Sequence, residues 1–180
     1  MKWKDKEMET KKKEYLYVDG YNIINSWEEL KELSKISLEE ARISLLEILS
    51  EYLHYSKIDI TVVFDAYMVK GNITTIDEYK GVKVVYTKEN ELADHYIEKA
   101  LDEIGRLKKV TVATSDKLEQ DIILQKGGIR ISALELKAEI ENAKRAVERK
   151  RKRMNMQNDI QVGKLEDLLK DTLDKWKKEQ

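Results

Sequence analysis

The sequence predicts a three-layer α/β domain with a mainly parallel central sheet of about five strands. Two observations lead there. Short apolar, often β-branched runs alternate with longer stretches at helical spacing, and the runs are apolar throughout instead of at every second position. Continuous apolar runs suit strands covered on both faces, and the intervening helices supply the crossovers that parallel strands require. A length of 180 residues fits one domain, so a single compact body with terminal extensions accounts for the chain.

Residues 1–13 are polar apart from the bulky Trp3 and a few others, and read as a flexible charged N-terminal extension. The domain proper spans residues 14–155. Its five expected strands are YLYV at 15–18, ITVVF at 60–64, VKVVY at 82–86, VTVA at 110–113 and IRI at 129–131. A helix over 37–56 opens with Ser37-Leu38-Glu39-Glu40, a capping box, and carries the stripe Leu38, Ala41, Leu45, Leu49, Tyr52. A second helix begins near Ser132 with the same device, Ser132-Ala133-Leu134-Glu135, and meets no glycine or proline until about Asn155. Residues 156–180 form a C-terminal amphipathic helical extension, in which Leu165, Leu168, Leu169, Leu173 and Trp176 recur at helical spacing after Gly163.

Composition removes several classes of function. No apolar run approaches the roughly 20 residues of a membrane span. The basic N-terminus is not followed by the apolar stretch of a signal peptide, so a cytoplasmic protein is expected. The chain has no cysteine, which excludes disulfides, thiolate zinc sites and cysteine nucleophiles. It also lacks G-x-G-x-x-G after a strand, G-x-x-x-x-G-K-[ST] and G-x-S-x-G, so no nucleotide cofactor and no serine-hydrolase site is expected. His54 and His95 are the two histidines, and neither sits in a ligand-spaced cluster. A formal net charge of -1 means that any contact with nucleic acid must be local.

The chemistry lies in acids at strand ends. YLYVD ends at Asp19, ITVVFD at Asp65 and VTVATSD at Asp116. Parallel strands would bring these charges to one edge, the carboxyl end, where open α/β sheets bind ligands. Asp94 is a fourth candidate. On the helix containing Ala93, Ile97, Ala100, Leu101 and Ile104 it falls within about 20° of Leu101 and about 60° of Ile97, so it leans toward the core, whereas His95 points about 100° away. Four carboxylates together repel one another unless a cation intervenes. Oxygen-only ligation favours Mg2+ or Mn2+, and such an ion suits phosphodiester hydrolysis that leaves 5′-phosphate and 3′-hydroxyl ends.

For any one of these aspartates, capping the following helix is the commoner role. Asp116 and Glu119 have the Asp-x-x-Glu spacing of such a cap, and capping does not exclude metal binding. An aspartyl-phosphate phosphatase also starts from a strand-end aspartate, but it wants a second one two residues on, where this chain has Tyr21.

The segments VDGYNIINSW (18–27), VVFDAY (62–67), YTKENELADHYIEK (86–99), VATSDKLEQ (112–120) and GGIRISALEL (127–136) together resemble the YacP-like NYN domain family, a branch of the PIN-like nucleases. The resemblance covers about residues 14–155 and implies a PIN-like, Rossmann-like fold with catalytic and metal-binding roles for Asp19, Asp65, Asp94 and Asp116. It implies that Asn22 and Ser115 orient the site or contact substrate. It further implies a metal-dependent endoribonuclease acting on mRNA, since the family includes a ribosome-associated enzyme of that kind, so RNA and the ribosome are the expected partners. The alternative is a non-catalytic RNA- or ribosome-binding module in which the acids only cap and turn. The extended N-terminus departs from the family pattern without touching a motif.

Two further features bear on RNA. In KRAVERKRKR (144–153), Arg145, Arg149, Lys150, Arg151, Lys152 and Arg153 could meet phosphates, or simply form a solvated helix face. Tyr21, Trp27 and Tyr67 follow strand ends, where aromatic rings stack bases or, more commonly, pack in the core.

Overall fold

The computed structural model describes residues 14–65, 73–104 and 108–178, without the side chains of 163, 166–168 and 171–178. The N-terminal extension, Trp3, Tyr67 and the side chains of Leu168, Leu173 and Trp176 lie outside the described residues. Its elements, in chain order, are β1 (Glu14–Asp19), α1 (Gly20–Ser26), α2 (Glu28–Ile36), α3 (Leu38–Ser56), β2 (Asp59–Phe64), β3 (Thr75–Tyr79), β4 (Val82–Tyr86), α4 (Ala93–Ile104), β5 (Lys109–Ala113), α5 (Lys117–Gln125), β6 (Ile129–Ile131) and α6 (Ala133–Lys178).

The sheet runs β3-β4-β2-β1-β5-β6. The five expected strands pair in parallel, and β3 adds a sixth, antiparallel to β4. Strand β3 is polar and exposed on both faces, so it carries no apolar period to betray it. It joins β4 through Lys80 and Gly81, both at positive φ (47° and 88°), the geometry of a tight two-residue hairpin.

One face of the sheet buries Tyr17, Val63, Val85, Val110 and Val112 against Ala93, Ile97 and Leu101 of α4 and Ile123 of α5. Alternation assigns Val18, Val62, Phe64 and Val84 to the opposite face, which α1 and α3 cover. The chain leaves β1 toward β2 on one side, and the later crossover from β4 through α4 enters β5 on the other side of β1. The β1/β5 boundary is therefore a topological switch point, where α/β sheets open a crevice at their carboxyl edge.

Caps follow the sequence closely. Ser37 Oγ accepts from Glu40 N at 3.2 Å at the start of α3. At α6 the box is reciprocal: Glu135 N donates to Ser132 Oγ (3.3 Å) and Ser132 N to Glu135 Oε2 (2.8 Å). Ala133, Leu136 and Ile140 are buried, and Trp27 Nε1 donates to Ala133 O at 2.8 Å. The helix continues through Gly163 where the sequence suggests a fresh start. The first compact unit closes at Ile140, and residues from Glu141 onward belong to a second unit. In that second unit Val147, Met154, Met156, Ile160, Val162, Leu165 and Leu169 are exposed. No described helix is long and apolar enough to cross a membrane.

Candidate metal centre

The register of the central strands fixes the acids. Asp19 closes β1 opposite Val63, so Asp65 follows two residues further along the neighbouring strand. Across β1 on the other side, Val18 pairs with Ala113, three residues before Asp116. Odd positions on β1 and β2 face α4 and α5, and Asp19 leans toward that layer with Tyr17 and Val63.

Each strand-end aspartate does cap a helix. Asp19 Oδ1 accepts from Asn22 N at 3.1 Å, Asp65 Oδ1 from Ala93 N at the start of α4, and Asp116 Oδ1 from Leu118 N (2.8 Å) and Glu119 N (3.3 Å). The cap at α5 is one-sided. Asp116 N is already taken by Thr114 Oγ1 at 3.1 Å, so Glu119 does not reach back to it. The Glu119 side chain turns inward instead. It is 3% exposed, and no cation pairs with its carboxylate among the described residues; the Thr114 hydroxyl and the Asp94 carboxyl are its polar neighbours.

Glu119 meets Asp19 and Asp94 there. Among the described residues, these three offer carboxylate oxygens within 4.8 Å of one another. Burial, with the charges of Asp94 and Asp65, pushes the Asp19 carboxyl up to about 7, against the Asn22 and Tyr21 N–H groups that favour its charged form. Burial and the nearby Asp94 and Asp19 charges take Glu119 to about 8, opposed by the Thr114 hydroxyl. Asp94 is raised by burial, then by Asp65 and Asp116. Asp65 and Asp116 thus stand outside the closest trio but within its field.

This donor set fits a hard divalent cation. It consists of carboxylate oxygens alone, one carboxylate buried and two half-buried, in a place where negative charge is costly. Oxygens that lie within 4.8 Å of one another can share a single hard ion, with water completing its coordination.

A polar strap holds the β1 and β5 ends together. Ser115 N donates to Asn22 Oδ1 at 2.7 Å, Ser26 Oγ donates to Asn22 O at 2.7 Å and lies 3.4 Å from Ser115 Oγ, and Ala133 N donates to Ser115 Oγ at 3.3 Å. Asn22 Oδ1 and Ser115 Oγ are therefore engaged by backbone N–H groups, and the first of these bonds joins the β1 and β5 ends.

Residues 16–179 match the YacP-like NYN domain. The chain belongs to the YacP-like NYN domain family. The protein YacP of Bacillus subtilis (strain 168) is 39% identical over 165 residues, 91% of this chain and 96% of that one. A crystal structure of Rae1 (YacP) from Bacillus subtilis superposes with a TM-score of 0.66 at 38% identity, covering 91% of this chain and 94% of that chain. A mutant of the same protein gives 0.66 at 41% identity over 76% and 80%. The fold is thus that of the PIN-like nucleases, and the family match extends through the C-terminal helix.

The remaining candidates divide. The described side chains of the basic run, Arg145, Arg149, Lys150, Arg151, Lys152 and Arg153, are all exposed. Arg145 pairs with Glu141 at 3.3 Å and Arg149 Nε donates to Arg145 O at 3.2 Å, both within the helix. Trp27 is core, 3% exposed. Tyr21 is half-buried, its ring 5.1 Å from Phe64. Glu119 is the residue that reasoning from sequence missed as a site acid. Its signal was the i, i+4 relation to Ile123, which puts it on the buried face of α5.

Proposed function

We propose that the chain is a metal-dependent endoribonuclease that cleaves mRNA, acting in the cytoplasm in association with the translating ribosome. The observation that carries the reading is the convergence of half-buried Asp19 and Asp94 with buried Glu119, with no cation paired to them among the described residues, at the switch point of a PIN-like fold. Protein residues rarely gather buried carboxylates for stability alone, because each raises the proton affinity of the others.

In this reading Asp19, Asp94 and Glu119 hold Mg2+ or Mn2+, with Asp65 and Asp116 contributing charge at the rim. A bound ion supplies an activated water and neutralises charge on the scissile phosphate. Asp19, Asp65 and Asp116 each commit one oxygen to a helix N-terminus, which fixes carboxylate orientation before substrate arrives. Asn22 and Ser115 keep the β1 and β5 ends at a constant separation and so act as orienting residues. The exposed run from Arg145 to Arg153 supplies local positive charge for RNA or ribosomal RNA, which an overall charge of -1 does not.

The test is cleavage of single-stranded and ribosome-engaged mRNA with Mg2+ or Mn2+, mapping the new 5′ ends. Cleavage that disappears with chelation and in Asp19→Asn, Asp94→Asn and Glu119→Gln is the expected result. Activity that survives all three substitutions would place the chemistry elsewhere. Cosedimentation with ribosomes, indifferent to chelation and without cleavage, would favour the binding-module reading.

A further inference from the structure

The acids lean toward the α4/α5 side of the sheet edge; the opposite side of the same edge carries a cation. Arg42 of α3 is largely buried, its side chain 12% exposed. Its Nη1 donates to Tyr21 Oη at 3.1 Å, and its guanidinium carbon lies 5.9 Å from the centre of the Tyr86 ring. Tyr86 ends β4 beside Phe64, with the two rings stacked at 5.6 Å, and Tyr21 closes on the same Phe64. Arg42 and these three rings form one cluster, two residues along the chain from Asp19 and one from Asp65.

Three facts about this cluster leave it short of polar partners. The acid that pairs with Arg42 is Glu39, one turn earlier on the same helix, with a side chain 65% exposed, so among the described residues no buried carboxylate pairs with the guanidinium. Arg42 Nε is buried and has no hydrogen-bond partner among the described residues. Tyr21 Oη accepts from Arg42, which leaves its own proton without an acceptor among the described residues, and the Tyr86 hydroxyl, within electrostatic reach of Arg42 and Tyr21, has none there either. Burying a guanidinium costs stability unless something compensates it. A fork held in place with two phenolic donors beside it matches the oxygens of a phosphodiester.

We propose that Arg42, Tyr21 and Tyr86 bind a non-scissile backbone phosphate of the RNA, setting the strand across the sheet edge so that a neighbouring phosphate reaches the acids. The inference rests on the nuclease reading of the acidic centre. It gives the substrate a polarity that the acids alone do not impose: one phosphate on the β4 side, the reacting one over β1. The cluster contacts the sugar-phosphate chain and not the bases, so it contributes affinity and register without sequence preference.

The test uses the full chain and a fluorescent single-stranded oligoribonucleotide, with binding measured by anisotropy in EDTA over a range of salt, and cleavage measured separately with Mn2+. Arg42→Gln is expected to weaken binding about tenfold, as loss of one charge-assisted contact would. It should also reduce the slope of log affinity against log salt by about 0.7, the loss of one phosphate contact on a single strand. In cleavage the loss should fall mainly on KM. Arg42→Lys should keep the salt slope and recover only part of the affinity. Tyr86→Phe, which keeps the stack on Phe64, should lose a few-fold in affinity at unchanged melting temperature, and it carries the test if Arg42→Gln does not fold. Unchanged affinity and salt slope in Arg42→Gln, or in Tyr86→Phe standing in for it, overturns the phosphate subsite while leaving the nuclease standing. A wild-type chain that neither binds nor cleaves RNA overturns the nuclease reading, and the subsite with it.

Discussion

The acidic centre and the basic run of α6 handle charge in opposite ways. Asp19 and Asp94 are half-buried and Glu119 buried, all with proton affinities raised, whereas Arg145 to Arg153 stay in solvent, Arg145 and Arg149 with intrahelical partners. Solvated charge costs almost nothing and therefore says little about purpose. Buried, uncompensated charge works against folding, and its persistence points to a ligand. The same contrast explains why the two regions should respond so differently to substitution.

The largest effect should come from the buried side. Removing one carboxylate charge by Asp19→Asn, Asp94→Asn or Glu119→Gln is expected to cut RNA cleavage by on the order of 1,000-fold, the scale of several kcal/mol of transition-state stabilisation. If a single-turnover assay showed all three within tenfold of wild type, the contrast would lose its functional meaning.

Acidity offers a second way to sharpen it. Asp19, at about 7, and Glu119, at about 8, hold protons in the folded chain that ordinary carboxylates release near pH 4. Between about pH 4 and pH 8 the metal-free folded state therefore binds more protons than the unfolded state, so its stability falls as pH rises through that window. Binding of a divalent cation to the ionised carboxylates offsets this. Thermal melts in EDTA should show the melting temperature declining from about pH 5 to about pH 8, with Mn2+ raising it more at the higher pH. A pH-independent effect of Mn2+ would count against these carboxylates as ligands.

Packing beside the acids gives the next effect. A Cβ on Gly20 would lie 2.2 Å from the Phe64 ring, which is fully buried and has no room to retreat. Gly20→Ala should cost about 1–3 kcal/mol in urea denaturation. Asn22→Ala removes the acceptor for Ser115 N and should cost about 1 kcal/mol, with a moderate loss of kcat. The smallest effect on folding should be in α6. Exchanging Lys150, Arg151, Lys152 and Arg153 together for Gln is expected to change stability by no more than about 0.5 kcal/mol while weakening ribosome cosedimentation as salt is raised.

Five strands were legible because each is apolar along its length, and Asp19, Asp65 and Asp116 stood out where that apolarity stops. Asp94 was legible from helical phase. Three things were hidden for physical reasons. Strand β3, TIDEY, is an exposed edge whose ladder is held by backbone bonds to β4, and nothing in its side chains announces a sheet. Helices α1 and α2 are 7 and 9 residues long, too short for a clear period. Glu119 has the spacing of a reciprocal cap, and only the Thr114 hydroxyl, by occupying Asp116 N, turns its carboxylate inward. A side-chain contact from outside the spacing rule decided which way that acid points.

The divided carboxylates at the three strand ends have a consequence for reading relatives of this chain. Each of Asp19, Asp65 and Asp116 gives one oxygen to a helix. Asparagine keeps a capping oxygen but surrenders the negative charge, whereas alanine surrenders both. On the proposed nuclease reading, a descendant that abandoned catalysis and kept its fold would drift toward asparagine at these three places, so the letters found there would tell a retired nuclease from a working one.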